Sequence, residues 1–167
     1  NHLFKMQIDK VSVDGYNYES YNETNDSGID NMVIKIGDAN STVSGKQTYV
    51  INYRVRIYED KDTTGDFSYL NVIPQNWETA IKSSVITVTF PKKIDWNDMK
   101  IYSGTYGSTK IANDLSYKIN EDSNTIKITD KNLAQGKGIT YKIDLPEGYW
   151  VNPLTNDWAI KPILFIL

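Results

Sequence analysis

The stretch Gln47-Thr48-Tyr49-Val50-Ile51-Asn52-Tyr53-Arg54-Val55-Arg56-Ile57-Tyr58 decides the fold class. Tyr49, Ile51, Tyr53, Val55 and Ile57 fall on one side of it, and Thr48, Asn52, Arg54 and Arg56 on the other. Successive side chains of an extended strand point to opposite faces, so this alternation predicts a long antiparallel strand with its apolar face in the core.

The same logic extends outward in both directions. Ser84 to Phe90 is rich in β-branched residues and stops at Pro91, which cannot donate to a ladder, and it reads as a central strand. Further strands are predicted at Met6 to Val13, Met32 to Ile36, Phe67 to Ile73, Met99 to Tyr102, Leu115 to Ile119, Thr125 to Thr129 and Ile139 to Leu145. Glycines after Asp14, Ser44, Thr64, Ser103, Gln135 and Glu147 supply the positive-φ positions of tight turns between them. No apolar pattern of helical period lasts three turns, although Trp77 to Ile81 fits a single helical turn. Tyr16 to Asp30 is polar and reads as a long loop or a mobile hairpin.

The fold expected is therefore all-β, a mainly antiparallel two-sheet β-sandwich of immunoglobulin-like or related topology. It is expected as one domain over residues 1–167, with a subdivision near Lys92 as the alternative. The tail 160–167 is apolar on both sides of an extended chain, and Pro162 disfavours a helix there, so it is expected to dock as a strand. It is far shorter than the about 20 residues needed to cross a bilayer.

Composition narrows the function. The net charge of -3 is small and its signs are mixed along the chain, so no basic face invites nucleic acid. The 167 residues contain no cysteine, which removes disulfides and thiolate chemistry. The single histidine, His2, lies at a terminus, where a catalytic base is hard to hold in place. Glycoside hydrolysis needs two carboxylates about 5 to 9.5 Å apart, and pairs such as Asp95 with Asp98, or Glu78 with Asp66, carry no motif that singles them out. The chain is thus expected to have no catalytic residues, no cofactor and no enzymatic activity.

Two binding features stand out. The loop Glu59 to Asp66 is dense in carboxylates, with Asp60, Asp62 and Asp66 as partial calcium candidates. Calcium takes about six to eight oxygens, and the loop lacks both the third alternate ligand and a downstream bidentate Glu, so a solvated hairpin tip is expected. Four tryptophans and twelve tyrosines raise the possibility of sugar-stacking aromatic faces. Trp77 follows a strand closely and reads as core, whereas Trp150 and Trp158 lie in an irregular stretch and are the candidate exposed aromatic contacts. The sequons at Asn22, Asn25 and Asn40 are of the kind an asparagine-rich chain produces by chance.

Several blocks in order resemble a known family. They are Ile34 to Asn40, Val43 to Val55, Tyr69 to Ile73 with Trp77 and Ile81, Val85 to Pro91, Tyr102 to Gly107, and Ile139 to Tyr149. Together they resemble the extracellular part of predicted bacterial membrane proteins, the domain of unknown function 2207 family. The resemblance implies an ectodomain that follows a signal peptide and precedes transmembrane helices in the full-length protein, on the extracellular face of the cytoplasmic membrane. It brings no catalytic or ligand residues with it. The expected function is a non-enzymatic binding module for an envelope protein or glycan. The alternatives are an accessory cell-wall glycan hydrolase domain and a structural spacer.

Overall fold

The computed structural model describes residues 6–24, 30–59, 63–75, 77–108, 110–112, 115–151 and 153–154. It is an all-β structure whose ladders are antiparallel. Ten strands follow in order: β1 (Met6–Val13), β2 (Tyr18–Thr24), β3 (Asp30–Ile36), β4 (Ile51–Ile57), β5 (Asp66–Ile73), β6 (Ser84–Thr89), β7 (Lys100–Gly104), β8 (Ser116–Asn120), β9 (Thr125–Asp130) and β10 (Gly138–Leu145). The chain divides into two compact units, residues 1–61 with 152–167, and residues 62–151. Lys92, near which the alternative to a single domain put a subdivision, falls inside the second unit.

The first unit contains two ladders. β1 pairs with β4 from Met6 opposite Ile57 to Val13 opposite Ile51, with a bulge between Ile8 and Lys10. β2 and β3 form a hairpin, Tyr18 opposite Ile36. Ile8, Val13, Val33 and Ile34 are its buried apolar residues. The returning chain meets the end of β4, where Leu154 donates to the Ile57 carbonyl at 2.8 Å and accepts from the Glu59 amide at 3.0 Å.

Two expectations change here. The regular strand begins at Ile51 rather than Thr48, and its apolar side is half-buried rather than core. Tyr53 keeps 42 % of its surface exposed. The polar stretch after Tyr16, expected as a long loop or a hairpin, enters the β2-β3 hairpin; the residues of β2 are all exposed, so it exists through its backbone ladder to β3, not through burial.

The second unit is a small sandwich. One sheet has the order β5-β10-β7 and the other β6-β9-β8. Ile139, Tyr141, Ile143 and Leu145 of β10 face inward; Ile139 packs with Ile126 and Ile128 of β9, and Tyr141, Ile143 and Leu145 pack with Phe90 and Tyr149. Ile126, Ile128, Ile139 and Ile143 are fully buried, so the core sits on the two central strands. Lettered A to F in chain order, the sheets are A-F-C and B-E-D. The immunoglobulin sandwich also joins B, E and D in one sheet and C with F in the other. The differences are that the first strand lies beside F, where the immunoglobulin fold has its seventh strand, rather than beside B, and that the described residues of this unit form six strands.

β6, expected to be central, is a sheet edge. Its strict alternation turns Ile86 and Val88 inward and leaves Val85 62 % exposed, a pattern that a strand covered on both faces does not show. Trp77 to Ile81 makes bends, not a helical turn. Among the described residues the helical element is a single 3-10 turn, Trp96–Asp98, capped by the Asp95 carboxylate, which accepts from the Asn97 amide at 2.9 Å. The expected strand in the tail 160–167 lies outside the described residues.

Candidate functional site

The outer face of the β5-β10-β7 sheet carries a groove. Register places Thr140 of β10 opposite both Asn71 of β5 and Tyr102 of β7, and Lys142 opposite both Tyr69 and Lys100. The row Asn71, Thr140, Tyr102 forms the floor of a solvent-open groove of about 450 Å³. Tyr69 and Gln75 line it on the β5 side, and Tyr106, Gly107 and Ser108 on the β7 side.

Local backbone features build both walls. On β5 the register shifts opposite the step from Ile139 to Thr140, so Val72 is an extra residue in the ladder. A bulge of this kind bends the strand and re-aims its neighbours. Here it lets Val72 and Ile73 both pack on the core, while the chain turns through Pro74 to bring Gln75 to the groove. That path needs Gly138: a Cβ there would lie 2.5 Å from the Ile73 carbonyl oxygen and 3.0 Å from the Gln75 nitrogen. On the other wall the Ser108 amide donates to the Thr105 carbonyl at 3.0 Å, and Gly107 has φ 78°. This is a type II turn with glycine at its third position and Tyr106 at its second. Tyr106 is consequently held at the tip with 86 % of its surface in solvent.

The chemistry of the lining is neutral. It offers tyrosine rings, two carboxamides and two aliphatic hydroxyls, with no charged side chain among the described residues. The Thr140 hydroxyl donates to the Asn71 side-chain carbonyl at 2.6 Å, which orients the Asn71 amide and leaves its NH2 as a donor. Lys142, one row below, is paired to Asp144 at 2.8 Å.

Of the candidate binding residues singled out by the sequence, Trp150 and Asp66 are described and neither lines the groove. Trp150 is half-buried: its indole nitrogen donates to the Phe67 carbonyl at 3.0 Å, and its amide donates to Asp66 Oδ2 at 3.0 Å. Its ring packs edge-on against Tyr149 at 5.1 Å, so it anchors the end of the sandwich rather than presenting a free face. Asp66 is thereby a backbone acceptor. Asp60, Asp62 and Trp158 lie outside the described residues, as does His2. Among the described residues no cluster of three metal-ligating side chains occurs. Asp95 serves its cap, and Glu78 is exposed. The groove escaped the sequence reading, because its lining comes from three separated segments. A turn was expected at Ser103-Gly104, but both residues belong to β7 and the turn comes after them, at Thr105 to Ser108; nothing in the string said that Tyr106 and Tyr69 share a face.

The model of one protein family, described as predicted membrane protein (DUF2207) N-terminal domain, matches residues 4–145. The chain belongs to this family. The match covers most of both units, and the groove's β5, β7 and β10 residues lie within it. No curated protein and no solved structure matches the chain. The domain of unknown function 2207 family is one of predicted membrane proteins, and no helix among the described residues is long and apolar enough to cross a membrane.

Proposed function

We propose that this domain is a non-enzymatic binding module on the extracellular face of a membrane-anchored bacterial surface protein, and that its binding surface is the outer face of the β5-β10-β7 sheet. One observation carries the reading: an open groove whose walls are set by a β-bulge, a glycine contact and a type II turn, with tyrosines held out to solvent. A large aromatic ring gains by burial, so a ring fixed at a turn tip is a contact in waiting. Glycoside hydrolysis requires a pair of carboxylates, and the described lining supplies none, which favours holding a ligand over cleaving it. Membership in a predicted membrane protein family supports an anchored setting.

The location is tested on intact cells. Val43, exposed in the first unit, is replaced in the whole membrane protein (Val43→Cys), and the cells are treated with a membrane-impermeant maleimide. The domain itself contributes no competing thiol. Labelling of the variant above the parent protein without lysis is expected. Labelling only after the cells are broken contradicts the extracellular setting.

A further inference from the structure

The geometry points to the groove of Tyr69, Asn71, Tyr102, Tyr106 and Thr140 as a binding site for a neutral oligosaccharide of pyranose rings, an assignment that rests on the binding-module reading above. A pyranose presents a C–H face that stacks on aromatic rings and a rim of hydroxyls that needs uncharged donors and acceptors. The groove supplies both in one place. Tyr106 and Tyr69, with 86 % and 42 % of their surfaces exposed, offer rings on opposite walls. Asn71, Gln75, Ser108 and Thr140 offer hydrogen-bonding groups between them. The volume of about 450 Å³ falls within the range of small-ligand sites.

Charge and backbone argue against other ligand classes. An anionic ligand wants an uncommitted cation, yet Lys142 is engaged by Asp144 at 2.8 Å and neither lysine of that row lines the groove. An extended peptide binds by adding a strand to a free sheet edge. The groove instead runs across β10, which is paired on both sides, and beyond β7 the ladder continues through Tyr102 opposite Ile111 and the Ala112 amide on the Ile101 carbonyl at 2.9 Å. What the groove presents is side chains, not unpaired backbone.

The walls are also constrained beyond what packing needs. A Cβ at Gly104 would lie 2.6 Å from Ser108 Oγ and 2.7 Å from its Cβ, so glycine there lets the turn fold back and bring Ser108 into the lining. With Gly138 admitting Gln75, both walls depend on backbone approaches that only glycine permits.

The test is calorimetric titration of the whole chain with two probes, the β-1,4-linked tetramer of N-acetylglucosamine and the β-1,4-linked tetramer of glucose. Binding of the first alone identifies an acetamido-bearing glycan, and binding of both identifies recognition of the ring itself. Tyr106→Ala and Tyr69→Ala, both surface changes, are expected to weaken binding by roughly two- to tenfold each. Tyr117→Ala, an exposed tyrosine on the other sheet, is expected to leave it unchanged. Raising the salt concentration is expected to have no effect, because no charge is neutralised. Three results would each overturn the assignment: neither tetramer binds the folded chain, both tyrosine variants bind like the parent, or affinity falls steeply with salt. Failure here alongside labelling of Val43→Cys on intact cells removes the saccharide and keeps the surface module; saccharide binding without that labelling removes the location alone.

Discussion

The Tyr149 hydroxyl donates to the Lys92 carbonyl oxygen at 2.9 Å and accepts from the Lys92 amide at 3.2 Å, while Lys92 Nζ reaches the Tyr149 carbonyl at 2.5 Å. Lys92 Nζ also lies 5.0 Å from the centre of the Tyr149 ring. The pair ties the chain just beyond β6 to the chain just beyond β10, one from each sheet of the sandwich. Asn124 joins the same corner, donating to the carbonyls of Phe90 and Lys92. Tyr149→Phe keeps the ring in the core but removes both hydroxyl bonds, and is expected to cost about 1 kcal/mol in urea unfolding, since water can partly replace them.

Core truncations separate the central strands from the edges. Ile128→Ala and Ile143→Ala each empty a fully buried site and are expected to cost about 2 to 5 kcal/mol. Val85→Ala, on the exposed side of β6, is expected to stay within about 0.5 kcal/mol. Equal losses at Val85 and Ile128 in thermal unfolding would contradict the assigned faces.

Tyr141 carries a pH dependence. Burial pushes its phenol above the ordinary 10.0, and the hydrogen bond with Ser68 Oγ at 2.9 Å opposes that rise in part. Tyr53 is raised by burial as well. A phenol harder to ionise when folded than when unfolded stabilises the fold fully below the unfolded value, and that contribution is lost as pH rises through the folded value. Stability set by these two groups is therefore expected to be flat through neutral pH and to fall above about pH 10, with late tyrosinate absorbance for both. Tyr141→Phe should remove part of the alkaline loss, at a cost of about 1 to 3 kcal/mol for the buried Ser68 hydroxyl it strands.

Gly138→Ala tests how the groove wall is made. The added Cβ would meet backbone atoms of Ile73, Pro74 and Gln75, none of which can rotate away. The expected outcome is a loss of about 1 to 3 kcal/mol, as overpacking gives, together with weaker saccharide binding because Gln75 is displaced. Unchanged stability and affinity would mean that the segment is not fixed by this contact.

Much of the fold was legible because the strands that matter most are written in β-branched residues. Thr125 to Thr129 and Ile139 to Leu145 announce their pleat, each one residue short of the observed strand, and β1 was read with its observed bounds. What failed is physically specific. The clearest alternation, around Tyr53 and Val55, is only half-buried, because periodicity reports a face and not how much sheet lies over it. The stretch Tyr16 to Asp30 reads equally as a loop or a hairpin, because β2 carries seven exposed residues and is held by its ladder, which leaves no hydrophobic signature. Ser84 to Thr89 looked central by composition, yet it pairs with β9 alone and lies at the sheet edge. The candidate site was hidden for another reason. Trp150 drew attention because it lies in an irregular stretch, but its indole N–H is satisfied by the Phe67 carbonyl. The rings that remain open, Tyr69 and Tyr106, meet only through the register of β5 and β7 on β10.

The most direct test of the central claim is a nuclear magnetic resonance titration of the isotope-labelled chain with the N-acetylglucosamine tetramer. Binding at the groove predicts amide shift changes centred on Tyr69, Asn71, Gln75, Tyr102, Tyr106 and Thr140, with β6, β8 and β9 unmoved. Changes centred on the β6-β9-β8 sheet, or none at saturating sugar, would contradict it.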